Sequence, residues 1–246
     1  MNAGSLNVRW NQIPSCQQIL RAARALRWSS LTATTTGEET VAAIRSAGGE
    51  ATFVKADVSV EADVAAAVQT AESVYGGLDA AFNNAGVAPA LTPFEDLKRD
   101  VWEGVIAVNS GGVWLCMKHE LAVMVPRRSG TIVNTASVAG LVGTAKGASY
   151  TAAKHGVIGL TRTAAVEHGP SGIRVNALAP GFTRTPMVDD LIDNPEFDMQ
   201  QMLAASPLGR VAEPREIAEA ALWLTSPASS FVTGHVLVID GGFTAQ

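Results

Sequence analysis

The run "GTIVNTASVAGLVGTAKGASYTAAKHGVIGLTRTAAVEHG", residues 130–169, decides how the chain is read. Its first part, "GTIVNTASVAG", is apolar and glycine-bounded, the pattern of a strand buried on both faces. Its last part, "SYTAAKHGVIGLTRTAAVEHG", has helical spacing and places Tyr150 and Lys154 on one face, a turn apart. A buried strand feeding a long helix is the repeating unit of a parallel sheet covered by helices.

Outward from this unit, helical and strand patterns alternate from Gly37 onward with short breaks, which predicts an α/β, doubly wound, three-layer parallel sheet. "EETVAAIRSAGG" reads as a helix stopped at Gly48-Gly49, and "ATFVKADV" as a short strand. "EADVAAAVQTAESVYGG" reads as a helix with Val64, Val68, Ala71 and Val74 on one side. "LDAAFNNAG" and "IRVNALAPG" are apolar strands ending in turns, Phe94 to Met124 is helical, "EPREIAEAALWLTS" is a helix opening near Glu213-Pro214, and "GHVLVIDGG" closes the sheet. The irregular segment "PMVDDLIDNPEFDMQQMLAAS", residues 186–206, follows a strand's C-terminal end, where a lid would sit.

The chain has 246 residues, 47% of them hydrophobic, enough for one large core and a single domain. A net charge of -5 and no basic run argue against nucleic acid as a partner. Cys16 and Cys116 make neither a metal set nor a disulfide framework, which suits a reducing, cytoplasmic setting. No apolar run reaches the roughly 18 residues of a membrane span.

Tyr-x-x-x-Lys on its own reads more readily as a plain surface pair than as an active site. A phenol with an ordinary pKa of about 10 is a poor acid-base group at neutral pH, and a neighbouring ammonium favours its ionised form. Three strand ends supply company. Ser137 stands thirteen residues before Tyr150, where its hydroxyl would bond a carbonyl oxygen held between the two. Asn109 is an amide within the apolar helix "VIAVNSGGVWLC" and needs a partner there. "NNAG", Asn83 to Gly86, and "APGFTRT", with Pro180, Gly181 and Thr185, end strands where an α/β sheet opens its ligand crevice.

From about Gly37 to the C-terminus the chain resembles a classical short-chain dehydrogenase/reductase, a nicotinamide-dependent oxidoreductase on a Rossmann-like sheet. The resemblance rests on "DV" at Asp57-Val58, "NNAG", the helix asparagine, the serine strand, Tyr-x-x-x-Lys, "PG" with a later Thr, and "GHVLVIDGG". It implies hydride transfer between nicotinamide and a secondary alcohol or ketone, with Tyr150 as acid in reduction and base in oxidation. Lys154 would lower the Tyr150 pKa and hold the nicotinamide ribose, Ser137 would polarise the substrate oxygen, and Asn109 would support a water relay from Lys154. Asp57 and Val58 would contact the adenine, Asn83, Ala85 and Gly86 the cofactor's ribose side, and Pro180, Gly181 and Thr185 the carboxamide end. A homo-oligomer, typically a tetramer packed through the long helices, is also implied.

Rival readings stand beside these. Asp57 would otherwise serve as a helix N-terminal acid, Asn83 and Asn84 as turn residues, and Thr185 as the start of a lid helix. His155 is read as structural or substrate-side, and Met187, Met199 and Met202 as packing or pocket lining.

Residues 1–36 depart from the family pattern. They contain one glycine, Gly4, so the glycine-rich phosphate turn that normally precedes the first helix has no counterpart. Residues 1–37 hold four arginines and no acid, a composition shared with organelle transit peptides, although anomalous sequence is the reading adopted. Where a second strand should end in a cofactor-reading acid, "RWSSLTATT" offers none. One permitted back-translation of Arg27 to Thr35, read one base earlier, gives "VVVADRDD", a strand with the expected acid. We therefore expect an upstream frame error corrected near Thr36-Gly37, and codons incompatible with the alternative frame would rule it out. On that acid rests an expected preference for NAD over NADP. A non-catalytic homologue, folded but cofactor-impaired, is the alternative.

Overall fold

A computed structural model describes residues 35–185 and 199–245. The anomalous segment up to residue 34, Met187 and most of the expected lid lie outside the described residues, as do the side chains of Met199 and Met202.

The described residues build one sheet of four parallel strands in chain order: β1 (Ala80–Asn83), β2 (Gly130–Thr135), β3 (Ile173–Pro180) and β4 (Val236–Ile239). Ala80 pairs with Thr131, Thr135 with Leu178 and Ala177 with Val236, so the C-terminal ends of β1, β2 and β3 lie along one edge. Two helices, α1 (Thr35–Ser46) and α2 (Glu61–Tyr75), precede β1. Between β1 and β2 run α3 (Arg99–Ile106) and α4 (Gly112–Arg127), joined by a π-helical turn over Ala107–Gly111. The helix α5 (Ala148–His168) links β2 to β3, and α6 (Met199–Ala204) and α7 (Pro214–Thr225) lie between β3 and β4.

Side-chain alternation explains why the strands read as continuous apolar runs. Ile132, Val175 and Ala177 face a core shared with Met117 and Met124 of α4 and Val157 and Ile158 of α5. Their neighbours Val133 and Leu178 face the opposite side, against Ile217, Ala221 and Leu224 of α7. Both faces of the sheet are therefore dry, as a parallel sheet with crossover helices requires.

Local signals set most helix ends. Gly76 stops α2 in the left-handed region at φ 74, donating its N–H to Glu72 O. Pro214 opens α7, where the Glu216 carboxylate accepts from Glu213 N–H at 2.9 Å.

Three expectations are corrected. The buried stripe of α2 is Val64, Ala67 and Ala71, while Val74 is 54% exposed; spacing at i, i+3 and i+7 follows the helix better than the valines do. Residues 51–58 form a single β-bridge at Ala56 rather than a strand. The long helix after Phe94 is broken, first by a 3-10 turn at Phe94–Asp96 and then by the π turn that carries Asn109.

Candidate active site

Because β1, β2 and β3 run parallel, the residues after Asn83, Thr135 and Pro180 gather over one edge of the sheet. Ser137 leaves β2 with extended backbone and caps the 3-10 turn Val138–Gly140, its Oγ accepting from Ala139 N at 3.2 Å. The turn rests on α5 through Gly140, where an added Cβ would lie 2.8 Å from Lys154 O and 3.0 Å from Ile158 Cδ1. Ser137 is thereby held beside the helix that carries Tyr150 and Lys154.

Lys154 is 3% exposed, and its Nζ donates to Thr135 O at 2.7 Å while lying 5.6 Å from the centre of the Tyr150 ring. Burial pushes its ammonium down to about 8. Burial also raises the Tyr150 hydroxyl above the usual phenol range, and the Ser137 side chain offsets part of that rise. Loss of water is the largest influence on Tyr150, and the Lys154 ammonium is turned toward the Thr135 backbone carbonyl.

Asn109 is fully buried. Its amide clamps one residue from both sides, donating to Val87 O at 2.8 Å and accepting from Val87 N at 2.7 Å. A π turn frees backbone from ordinary helix register and is frequent at functional sites. The clamp fixes the loop after Gly86, where an added Cβ would lie 3.3 Å from Asn109 Oδ1 and 3.7 Å from Lys154 Nζ. Four segments thus converge on a narrow space walled by backbone.

The two asparagines of "NNAG" divide. The Asn83 side chain is buried, donating to Glu120 Oε2 at 3.1 Å and Asn134 Oδ1 at 2.9 Å, so only its backbone faces the crevice side. Asn84 is exposed and accepts from Thr135 Oγ1 at 3.0 Å, and Ala85, the next residue, is half-buried. Asp57 lies apart, before α2; hydrogen bonds from the Ser59 hydroxyl and N–H hold its carboxyl below the usual carboxylate range. At the end of β3, Gly181 N–H donates to Ile239 O at 2.9 Å, and half-buried Thr185 borders the undescribed stretch. His155 is exposed, its Nδ1 2.9 Å from Thr151 O.

The described residues fit the two ends of a nicotinamide dinucleotide. The buried Lys154 ammonium stands beside the Tyr150 ring next to Gly86, and the Asp57 carboxylate, held by Ser59, is an acceptor before α2. The stretch where a phosphate turn would stand lies outside the described residues. Among the described residues no His, Cys, Asp and Glu cluster could hold a metal ion, and no helix is long and apolar enough to cross a membrane.

Sequence reading missed Thr135, Val87 and Gly140, which act through backbone and leave no side-chain signal. It also missed Glu120, whose signal is an acid in the apolar run "WLCMKHELAVM".

The profile of a family described as Enoyl-(Acyl carrier protein) reductase matches residues 28–244, reaching into the anomalous stretch. A 2,5-dichloro-2,5-cyclohexadiene-1,4-diol dehydrogenase of Sphingobium indicum is 46% identical over 210 residues, covering 85% of this chain and 83% of the relative. A cis-4-hydroxycyclohexanecarboxylate dehydrogenase of Sinomonas cyclohexanicum is also 46% identical, over 85% of this chain and 82% of its own. The crystal structure of a levodione reductase superposes with a TM-score of 0.84 at 37% identity, covering 92% and 93% of the two chains. Taken with a serine, tyrosine and lysine held at the end of a parallel sheet, these likenesses show that the chain belongs to the short-chain dehydrogenase/reductase family, NAD(P)-dependent oxidoreductases that pass hydride between nicotinamide and a secondary alcohol or its ketone.

Proposed function

We propose that the protein oxidises secondary alcohols borne on a six-membered alicyclic ring and reduces the matching ketones. The observation that carries this reading is the buried Lys154 beneath Tyr150, with Ser137 held against the same helix. The relatives' names point to ring alcohols. Two loops flanking the crevice support an apolar guest: they are joined by Thr92 N–H to Lys146 O at 2.9 Å and expose Leu91 and Val142.

Bound nicotinamide would supply the hydride chemistry. Ser137 donates a hydrogen bond to the substrate oxygen, and Tyr150 gives that oxygen its proton in reduction or takes it in oxidation. Lys154 holds the nicotinamide ribose and balances charge developing on the phenol. Asn109 keeps the loop after Gly86 in place and supports the proton path from Lys154. Asp57 and Val58 meet the adenine, the backbone of Asn83, Ala85 and Gly86 passes the ribose, and Pro180, Gly181 and Thr185 hold the carboxamide. NAD is preferred over NADP, the assembly is a homotetramer, and the setting is cytoplasmic. Relatives named as dehydrogenases at 46% identity weigh against the non-catalytic alternative.

Titration of NAD+, NADH and NADP+ into the purified chain, followed by absorbance assays with cyclohexanol, tests the proposal. Saturable NAD+ binding and ring-alcohol oxidation are expected. No saturation by about 1 mM NAD+, the upper end of ordinary KM values, would reject it.

A further inference from the structure

Gly112 begins α4 with ordinary right-handed helical backbone, φ -61 and ψ -41, so nothing in its conformation requires glycine. In a helix interior glycine is destabilising by about 1 kcal/mol relative to alanine. What the position does require is closeness. An added Cβ would lie 2.6 Å from Val58 Cγ2, 3.0 Å from Val58 Cβ and 3.3 Å from Val58 O. The missing side chain is the seat of the Asp57-Val58 turn.

That turn has little freedom to retreat. Asp57 N–H donates to Asp63 Oδ2 at 2.9 Å, Val60 N–H to Asp57 O at 2.9 Å, and Ser59 Oγ to Asp57 Oδ1 at 2.7 Å. The following helix is tied to α4 again by Lys118 Nζ to Glu61 Oε1. A push on Val58 therefore moves the Asp57 carboxylate with it. Gly112 also stands three residues after Asn109, so one continuous helical stretch carries the clamp of the loop after Gly86 and the seat of this turn.

We propose that Gly112 is a positioning residue for the adenosine end of the dinucleotide, setting the height of the Asp57-Val58 turn above α4. The inference rests on the reading of that turn as adenine-facing. Gly112→Ala raises the Kd for ADP-ribose and the KM for NAD+ about tenfold, a size ordinary for displacements of under an ångström, and leaves kcat within about twofold. Thermal stability falls little, because alanine favours the helix. In a Val58→Ala background the closest contact is gone, so the same substitution costs about threefold or less in the ADP-ribose Kd.

Calorimetric titration of ADP-ribose into the wild type, both single variants and the double variant reads this cycle, with circular dichroism on each. An unchanged ADP-ribose Kd in Gly112→Ala, an equal loss in both backgrounds, or a loss confined to kcat overturns the proposal. If Gly112→Ala alone does not fold, the double variant is compared with Val58→Ala, and a difference near tenfold overturns it. Failure of the wild type to bind ADP-ribose, by contrast, removes the adenine reading itself.

Discussion

Tyr150 and Lys154 show how one pair of residues can be placed by spacing and yet be tuned by burial. Helical geometry brings them together, and the fold then removes water from both, raising the phenol and lowering the ammonium to about 8. With the proton on the tyrosine, reduction has its acid ready at neutral pH. Oxidation must first move that proton away. Tyr150→Phe should leave the fold and NAD+ affinity intact and lower kcat by about 10² to 10⁴, as loss of a positioned acid-base group does. Cyclohexanone-dependent NADH consumption checks it, and retained turnover would remove Tyr150 from the chemistry. The pair was legible in the sequence because four residues make about one turn. The direction of the tyrosine shift was not, since the sequence carries no measure of desolvation.

At the scale of elements, the catalytic edge is backed by a buried polar chain between β1, β2, α4 and α5. Asn83 donates to Glu120 and Asn134, Asn134 donates to Thr161 at 3.0 Å, and Thr161 donates to Val157 O at 2.8 Å. Burial pushes the Glu120 carboxyl up to about 7, with the Asn83 hydrogen bond offsetting part of the rise. Cys116, which feels the Glu120 charge, is held as the thiol by burial and by Glu120. A folded pKa above the ordinary 4.5 means the folded state holds the proton while the unfolded chain has lost it, so stability falls as pH rises from 4.5 to about 7. Glu120→Gln keeps an acceptor for Asn83 and abolishes that slope. Urea unfolding should find the variant more stable than the parent by up to about 3 kcal/mol at pH 8, with the gap closing in acid. A gap independent of pH would show that Glu120 does not titrate in this window. Helix existence was legible here from periodicity, but the π turn at Ala107–Gly111 was not, because the Asn109 side chain it carries is bonded to a loop distant in sequence.

For the whole molecule, the order of elements follows from the alternation of patterns, whereas its assembly depends on surfaces that only the packed chain defines. Trp102 of α3, Trp114 of α4 and Val166 of α5 remain exposed, the last at 81%, although these helices also face the core. Such faces support the homotetramer expected from the family resemblance. Native mass spectrometry should return four copies of the 25.6 kDa chain, and a monomer at micromolar concentration would reject that assembly.

The sequence by itself determined the parallel α/β order, the strand ends that carry the site, and the serine, tyrosine, lysine and asparagine that gather there. These are local matters: periodicity sets the elements, and parallel strands must deliver their C-terminal turns to one edge. Only the tertiary structure decided that the Asn83 side chain turns into the core, that Thr135 and Val87 hold Lys154 and Asn109 by backbone, and that Gly112 makes room for Val58. Each of those depends on how near two remote segments lie and how much water is left between them, and no spacing along the chain encodes either quantity.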